Sequence, residues 1–318
     1  MSIAFVFPGQ GSQEVGMGRS LASVSVGAAG VFASADATFA TDGLSMSSLC
    51  FEGPADALTL TENTQPALLT VSIAALKALQ ERLPSLCPDF VAGHSLGEYS
   101  ACVCAGTLGL QDALRVVRSR GQAMQHAVAP GVGAMAAIMG VDAELLGTLC
   151  ARAQAESPEW VVSPANFNAP GQIVIGGHAA AVERVRVLVE EARGRAILLK
   201  VSAPFHCSLM APAAERVRES LSAISLTEAA IPIVHNVDAC ANRDPDRVRE
   251  ALVAQVAGAV LWEQSVRELA RLGVKTLVEL GPGRVLAGLA KRIDKSLVVH
   301  SVSDAASLDA CVNALSLA

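Results

Sequence analysis

The chain has 318 residues, 52% of them hydrophobic and 17% charged, which excludes a disordered polypeptide and leaves room for a large core with or without a small one. A net charge of −6 excludes a generally nucleic-acid-binding surface, and an aromatic content of 3% requires a core built from Ala, Val and Leu. Eight cysteines are scattered without a C-x-x-C pair, which argues against zinc ribbons and redox motifs and for buried free thiols in a reducing cytoplasm. No basic segment followed by an apolar one opens the chain, so no signal peptide is expected. The longest uncharged stretch, 121–141, is interrupted by Pro130-Gly131, so no membrane span is expected either.

In chain order, Ile3–Phe7 reads as a buried strand that ends at Pro8. The loop Pro8-Gly9-Gln10-Gly11-Ser12-Gln13 matches neither a P-loop nor the dinucleotide fingerprint, but such a loop exposes backbone N–H groups that can hold an anion. Residues 20–80 read as helices broken near Gly43, Gly53-Pro54 and Asn63, with 66–79 packing on a sheet. Phe90-Val91-Ala92 is a short strand, and the helix predicted over 110–125 carries Arg115, Arg118, Gln122 and Gln125 on its polar face. Arg120 instead falls on the inward face with Val117 and Met124.

From Ala134 the pattern becomes β-α-β-β-α-β. It has strands over 134–139, 161–162, 172–175 and 196–201, helices over 142–156 and 179–193, and a turn at 166–171. That is the order of a ferredoxin-like subdomain, expected as an insertion over 128–201. The α/β pattern then resumes. It shows strands at 231–234, 274–280 and 297–302 and helices after His206, from Asp244-Pro245, and over 262–272 and 284–293. A last helix starts at Asp304.

Gly93-His94-Ser95-Leu96-Gly97, between a strand and a helix, fits a nucleophile elbow, although the pattern alone is weak. A serine needs a base. Of the six histidines, His206 follows a strand end and Pro204 and precedes a helix, the best place for one; His94 reads as a packing or hydrogen-bonding residue. Asp112, Asp142 and Glu144 lie between Ser95 and His206 without a clear strand-end context, which leaves either an acid or a carbonyl to orient the imidazole. An inward Arg120 is either a structural ion pair or a clamp for a substrate carboxylate. Phe205 either shapes an acyl pocket or fills core.

Together these pieces resemble the malonyl-CoA:acyl carrier protein transacylases of fatty acid synthesis and the related acyltransferase domains of polyketide synthases. The matching motifs are 7–13, 93–99, 166–171, 204–210 and Gly281-Pro282-Gly283 with the helix after it, in family order over almost the whole chain. The resemblance implies an α/β-hydrolase-like catalytic domain, 1–127 and 202–318, carrying the small subdomain. It implies Ser95 as nucleophile, His206 as base, and the backbone N–H groups of Gln10 and Leu96 as oxyanion donors. Arg120 would hold the malonyl carboxylate, with Met124, Phe205 and Asn166 around the acyl group, and the Gln255 carbonyl would orient His206. The substrates implied are malonyl-CoA and acyl carrier protein, with no metal and no cofactor, in a cytoplasmic monomer. Lys275, Arg284, Lys291 and Arg292 are candidates for carrier docking. Ala259 stands where the family usually has proline. The competing readings are a serine esterase or thioesterase, which would share Ser95 and His206, and a non-catalytic carrier-binding scaffold.

Overall fold

In a computed structural model, residues 2–199, 201 and 203–316 are described. Strand β1 (Ile3–Phe7) alternates as a two-residue period demands: Phe5 and Phe7 enter one core cluster, and Ala4 and Val6 enter another. Both faces of the sheet are therefore covered, the condition under which a parallel sheet is stable. After β1 come β2 (Phe90–Gly93), β3 (Gly133–Met139), β4 (Val162–Ala169), β5 (Gln172–His178), β6 (Arg195–Leu198), β7 (Ile233–Val234), β8 (Ala241–Asn242), β9 (Thr276–Leu280) and β10 (Val298–Val302).

Two sheets result. The larger has the order β10-β9-β1-β2-β7-β8, parallel throughout except for the antiparallel β7–β8 pair. The smaller has the order β4-β5-β3-β6 and is antiparallel. With helices Ala143–Ala155 and Ala179–Glu191 packed in its core cluster, it has the ferredoxin-like arrangement. The segment after helix Pro245–Ala257 pairs with β4, where Phe167 N–H donates to Val260 O and Val260 N–H to Ala165 O, each at 2.9 Å.

Several elements depart from the sequence reading. Asn166 lies inside β4, and the tight turn shrinks to Pro170-Gly171, because the backbone here pairs with β5 on one side and with Val260 on the other. The break expected near Asn63 falls at Leu60, between helices Ala55–Thr59 and Thr61–Arg82. Asn63 lies in the first turn of the second helix, where its Nδ2 donates to Ala57 O at 2.9 Å and Thr64 Oγ1 donates to Leu58 O at 2.6 Å, tying that turn to the preceding helix. The strand expected over 196–201 spans Arg195–Leu198, and Lys200 lies outside the described residues. Strand β8 carries only two residues, too few to show a period in the sequence.

Ser95 sits between β2 and helix Gly97–Cys104. A Cβ on Gly93 would stand 1.9 Å from the Gly97 carbonyl carbon, and one on Gly97 would stand 2.0 Å from Phe7 O. Both neighbours are backbone and cannot swing aside. Gly93→Ala is therefore expected to cost more than about 3 kcal/mol of stability, read from the urea midpoint; an unchanged midpoint would show that the elbow can open.

Among the described residues no helix is long and apolar enough to cross a membrane. The cysteines are all free, with Cys50, Cys102, Cys150, Cys207 and Cys311 buried.

Candidate active site

The parallel register places Phe7 beside Gly93, so the loop after β1 and the elbow after β2 emerge at the same end of the sheet. They touch closely: a Cβ on Gly9 would lie 2.5 Å from His94 O. Ser95 has φ 50°, a left-handed conformation uncommon for a residue with a side chain. Two side-chain amides hold it there. Asn236 Oδ1 accepts from Ser95 N–H at 2.7 Å, and Gln255 Nε2 donates to Ser95 O at 2.9 Å.

His206 reaches Ser95 from the loop before helix Ala211–Ser222, also with a left-handed φ, 59°. Its Nε2 lies 2.7 Å from Ser95 Oγ, and its Nδ1 lies 2.8 Å from the backbone carbonyl of Gln255. That carbonyl belongs to the last turn of helix Pro245–Ala257, where carbonyls have no acceptor role within the helix. His206 Nδ1–H donates to it, which fixes the tautomer and leaves the Nε2 lone pair facing the serine hydroxyl.

No carboxylate takes this place. Asp142 caps helix Ala143–Ala155, accepting from Leu145 N–H at 2.8 Å, Asp112 lies 3.5 Å from Arg115, and Glu144 is exposed. Burial first, then the positive charge of Arg120, lowers the His206 pKa from 6.5 to about 3. The native state thus binds the proton less readily than the unfolded chain. This contribution to stability is complete above pH 6.5 and is lost progressively as pH falls toward 3. Serine acylation is accordingly expected to lack the acid limb near pH 6.5 that an ordinary histidine gives; a loading rate that halves there would contradict a neutral buried base.

Arg120 is 1% exposed. Its Nη2 donates to Ser95 Oγ at 3.0 Å and to Gln255 Oε1 at 2.8 Å, and its Nη1 donates to Gln65 Oε1 at 2.9 Å. All three acceptors are neutral, so no carboxylate touches the guanidinium, and its Nε has no partner among the described residues. The guanidinium also lies over the Tyr99 ring, 5.4 Å from the centroid. Helix Leu110–His126, which carries Arg120, approaches helix Thr61–Arg82 closely: a Cβ on Gly121 would lie 2.7 Å from Thr61 O. Met124 is buried one turn on, and its sulfur accepts from Gln65 Nε2 at 3.7 Å, orienting the amide that faces Arg120.

A serine whose hydroxyl can pass its proton to a neutral imidazole, beside a cation whose hydrogen-bond acceptors are all neutral, is equipped to attack an acyl carbon carried by an anionic group. Residues 4–311 match the family described as acyl transferase domain. The chain belongs to that family. It is 46% identical over 314 residues to the malonyl CoA-acyl carrier protein transacylase of Bacillus subtilis (strain 168), covering 98% of this chain and 97% of that one. It is 45% identical over 310 residues to the protein of the same name from Escherichia coli (strain K12), covering 97% and 98%. Among solved structures, the acyl-carrier-protein S-malonyltransferase from Burkholderia pseudomallei 1710b superposes with a TM-score of 0.94 at 46% identity, covering 98% and 100%. A malonyl-transacylase solved in complex with its type II polyketide synthase acyl carrier protein also gives 0.94, at 42% identity, covering 99% and 100%.

The other residues that the family motifs singled out fall into place unevenly. The backbone N–H groups of Gln10 and Leu96 have no acceptor among the described residues, and Gln10 lies on the exposed loop packed against the elbow. Phe205 is buried beside His206, its carbonyl 2.9 Å from where a Cβ on Gly176 of β5 would stand. Asn166 is buried at the β4–Val260 junction, and it is Asn168 that reaches the elbow, its Oδ1 2.8 Å from His94 Nε2. Around Ala259, Val260 N–H donates to Ala165 O at 2.9 Å and Leu261 N–H to Asn236 O at 2.8 Å, bonds that hold the segment without proline.

The four basic residues do not form one patch. Lys275 precedes β9, at the end of the sheet opposite Ser95, whereas Arg284 follows the β9 C-terminus and lines a cleft with Lys291 and His300. Sequence reasoning missed Asn236, Glu98, Gln65 and Asn168. Glu98 and Asn168 carried a signal, their places within the motifs 93–99 and 166–171.

Proposed function

We propose that this chain transfers a malonyl group from malonyl-CoA to the phosphopantetheine thiol of an acyl carrier protein, supplying malonyl carrier protein for fatty acid synthesis. The observation that carries the reading is Arg120, a buried cation with only neutral acceptors, 3.0 Å from the serine oxygen. A site of this kind recognises an acyl chain that ends in a carboxylate. The names and near-complete coverage of the relatives support the same substrates.

Ser95 Oγ attacks the thioester carbonyl carbon while its proton passes to His206 Nε2. The oxyanion that forms accepts hydrogen bonds from the N–H groups of Gln10 and Leu96. The C–S bond breaks, and coenzyme A leaves as a thiol with the proton from His206. The carrier thiol then attacks the malonyl-serine ester, again giving its proton to His206. Collapse breaks the ester C–O bond and returns that proton to Ser95 Oγ. Malonyl-CoA is a substrate, and no step calls on a metal or cofactor.

In this reading residues 1–127 and 202–318 form the catalytic unit, and 128–201 close one side of the acyl site. The Asn168–His94 contact and the approach of β5 to Phe205 support that division.

Mixing the protein with malonyl-CoA and recording an intact mass tests the proposal. A gain of one malonyl group, discharged on adding carrier protein, is expected. No gain would remove both the assignment and the mechanism. A gain that water discharges as fast as the carrier does would favour a thioesterase.

A further inference from the structure

Glu98 follows the elbow directly, and the reaction above does not use it. It is fully buried, and its carboxylate accepts three hydrogen bonds: from His235 Nδ1 at 2.7 Å, from Asn236 N–H at 3.1 Å and from Gln255 Nε2 at 2.7 Å. Two of these donors belong to the residues that hold the elbow. Asn236 Oδ1 takes Ser95 N–H, and its Nδ2 donates to Gly93 O at 2.6 Å. Gln255 touches more of the site than any other residue described above: its Nε2 donates to Ser95 O, its Oε1 accepts from Arg120, and its backbone carbonyl accepts from His206.

An amide side chain is nearly symmetric in shape and opposite in polarity at its two ends. Nothing steric stops Gln255 from turning over. A carboxylate, however, only accepts, so Glu98, at 2.7 Å and charged, joins the Ser95 carbonyl at 2.9 Å in admitting the NH2 end, which turns the oxygen toward Arg120. The reverse orientation would set NH2 against guanidinium, donor against donor, and Arg120 would lose one of its two Nη2 acceptors beside Ser95.

We propose that Glu98 is a positioning residue for acyl selectivity: its carboxylate fixes the Gln255 amide in the orientation that holds the Arg120 guanidinium beside Ser95. This rests on the malonyl-transfer reading. A carboxylate that served only to stabilise the fold would affect every acyl group alike. A positioning carboxylate affects the group that needs Arg120.

The test follows acyl-Ser95 formation in single turnovers by time-resolved intact mass, with malonyl-CoA and with acetyl-CoA, for the wild type, Glu98→Gln and Glu98→Met. The glutamine keeps the shape of Glu98 but can present a donor to Gln255, and the methionine keeps its length and removes the acceptor altogether. In each variant malonyl loading is expected to fall on the order of 10- to 100-fold, the scale of one lost hydrogen bond to a charged group. Acetyl loading is expected to change by less than about threefold, so the loss appears in the malonyl-to-acetyl ratio. Thermal melting identifies folded protein, and if Glu98→Met does not fold, Glu98→Gln decides. Should the wild type load no malonyl, the functional reading fails whatever the variants do. If the wild type loads malonyl and the folded variants keep its ratio, or lose both acyl groups equally, the role given to Glu98 is overturned.

Discussion

Ser95→Ala is expected to abolish the malonyl adduct and to lower carrier malonylation by roughly 10⁴-fold or more, the scale on which removing a serine nucleophile acts in comparable sites. The fold should survive. The elbow conformation is held by backbone bonds of Ser95 to Asn236 and Gln255, not by the hydroxyl, and alanine tolerates the left-handed φ as poorly as serine does. Binding of malonyl-CoA should persist, because Arg120 and its neighbours are untouched. The measurement is intact mass together with calorimetric titration of malonyl-CoA. A residual adduct in Ser95→Ala would place the nucleophile elsewhere, and lost binding would mean that the hydroxyl organises Arg120 more than it reacts.

Arg120→Ala is expected to separate substrates rather than to inactivate. Malonyl loading should fall roughly 10²- to 10³-fold, about 3–4 kcal/mol, the range for removing one partner of a buried hydrogen-bonded ion pair. Acetyl loading should hold or rise. The sign follows from His206: the charge of Arg120 is the second cause of its lowered pKa, so removing that charge makes the imidazole a stronger base. Single-turnover loading with the two thioesters reads the result. Equal loss for both would make Arg120 a structural cation, left with Gln65 and Gln255 as its reason for being buried.

Much of this was legible from residue order, for physical reasons that differ from place to place. The elbow could be read because two glycines flank the serine and backbone packing leaves room for nothing else at Gly93 and Gly97. Arg120 could be read because helical periodicity put a charge among apolar residues. The ferredoxin-like insert could be read because its strands and helices carry regular patterns. Asn236 and Gln65 could not, since a buried amide gives no periodic signal and its value depends on which distant backbone it meets. The turn expected at 166–171 failed for a related reason. Asn166 looks like a turn residue locally, but its backbone pairs with Val260, 94 positions further along the chain. The basic dock expected from Lys275, Arg284, Lys291 and Arg292 does not gather in one place, because β9 separates Lys275 from Arg284 by its whole length.

The neutral surroundings of Arg120 give the site an interlock. No carboxylate hydrogen-bonds to the guanidinium, and its charge, offset only at a distance by Glu98, adds to burial in lowering the proton affinity of His206. A substrate carboxylate on Arg120 would weaken that field as the thioester reaches Ser95. An acyl group that pairs with Arg120 would thus strengthen the base that acts on it, and a neutral acyl group would not. Discrimination then falls on the rate of the chemical step as well as on occupancy, so flooding the enzyme with the wrong thioester would not make up the difference.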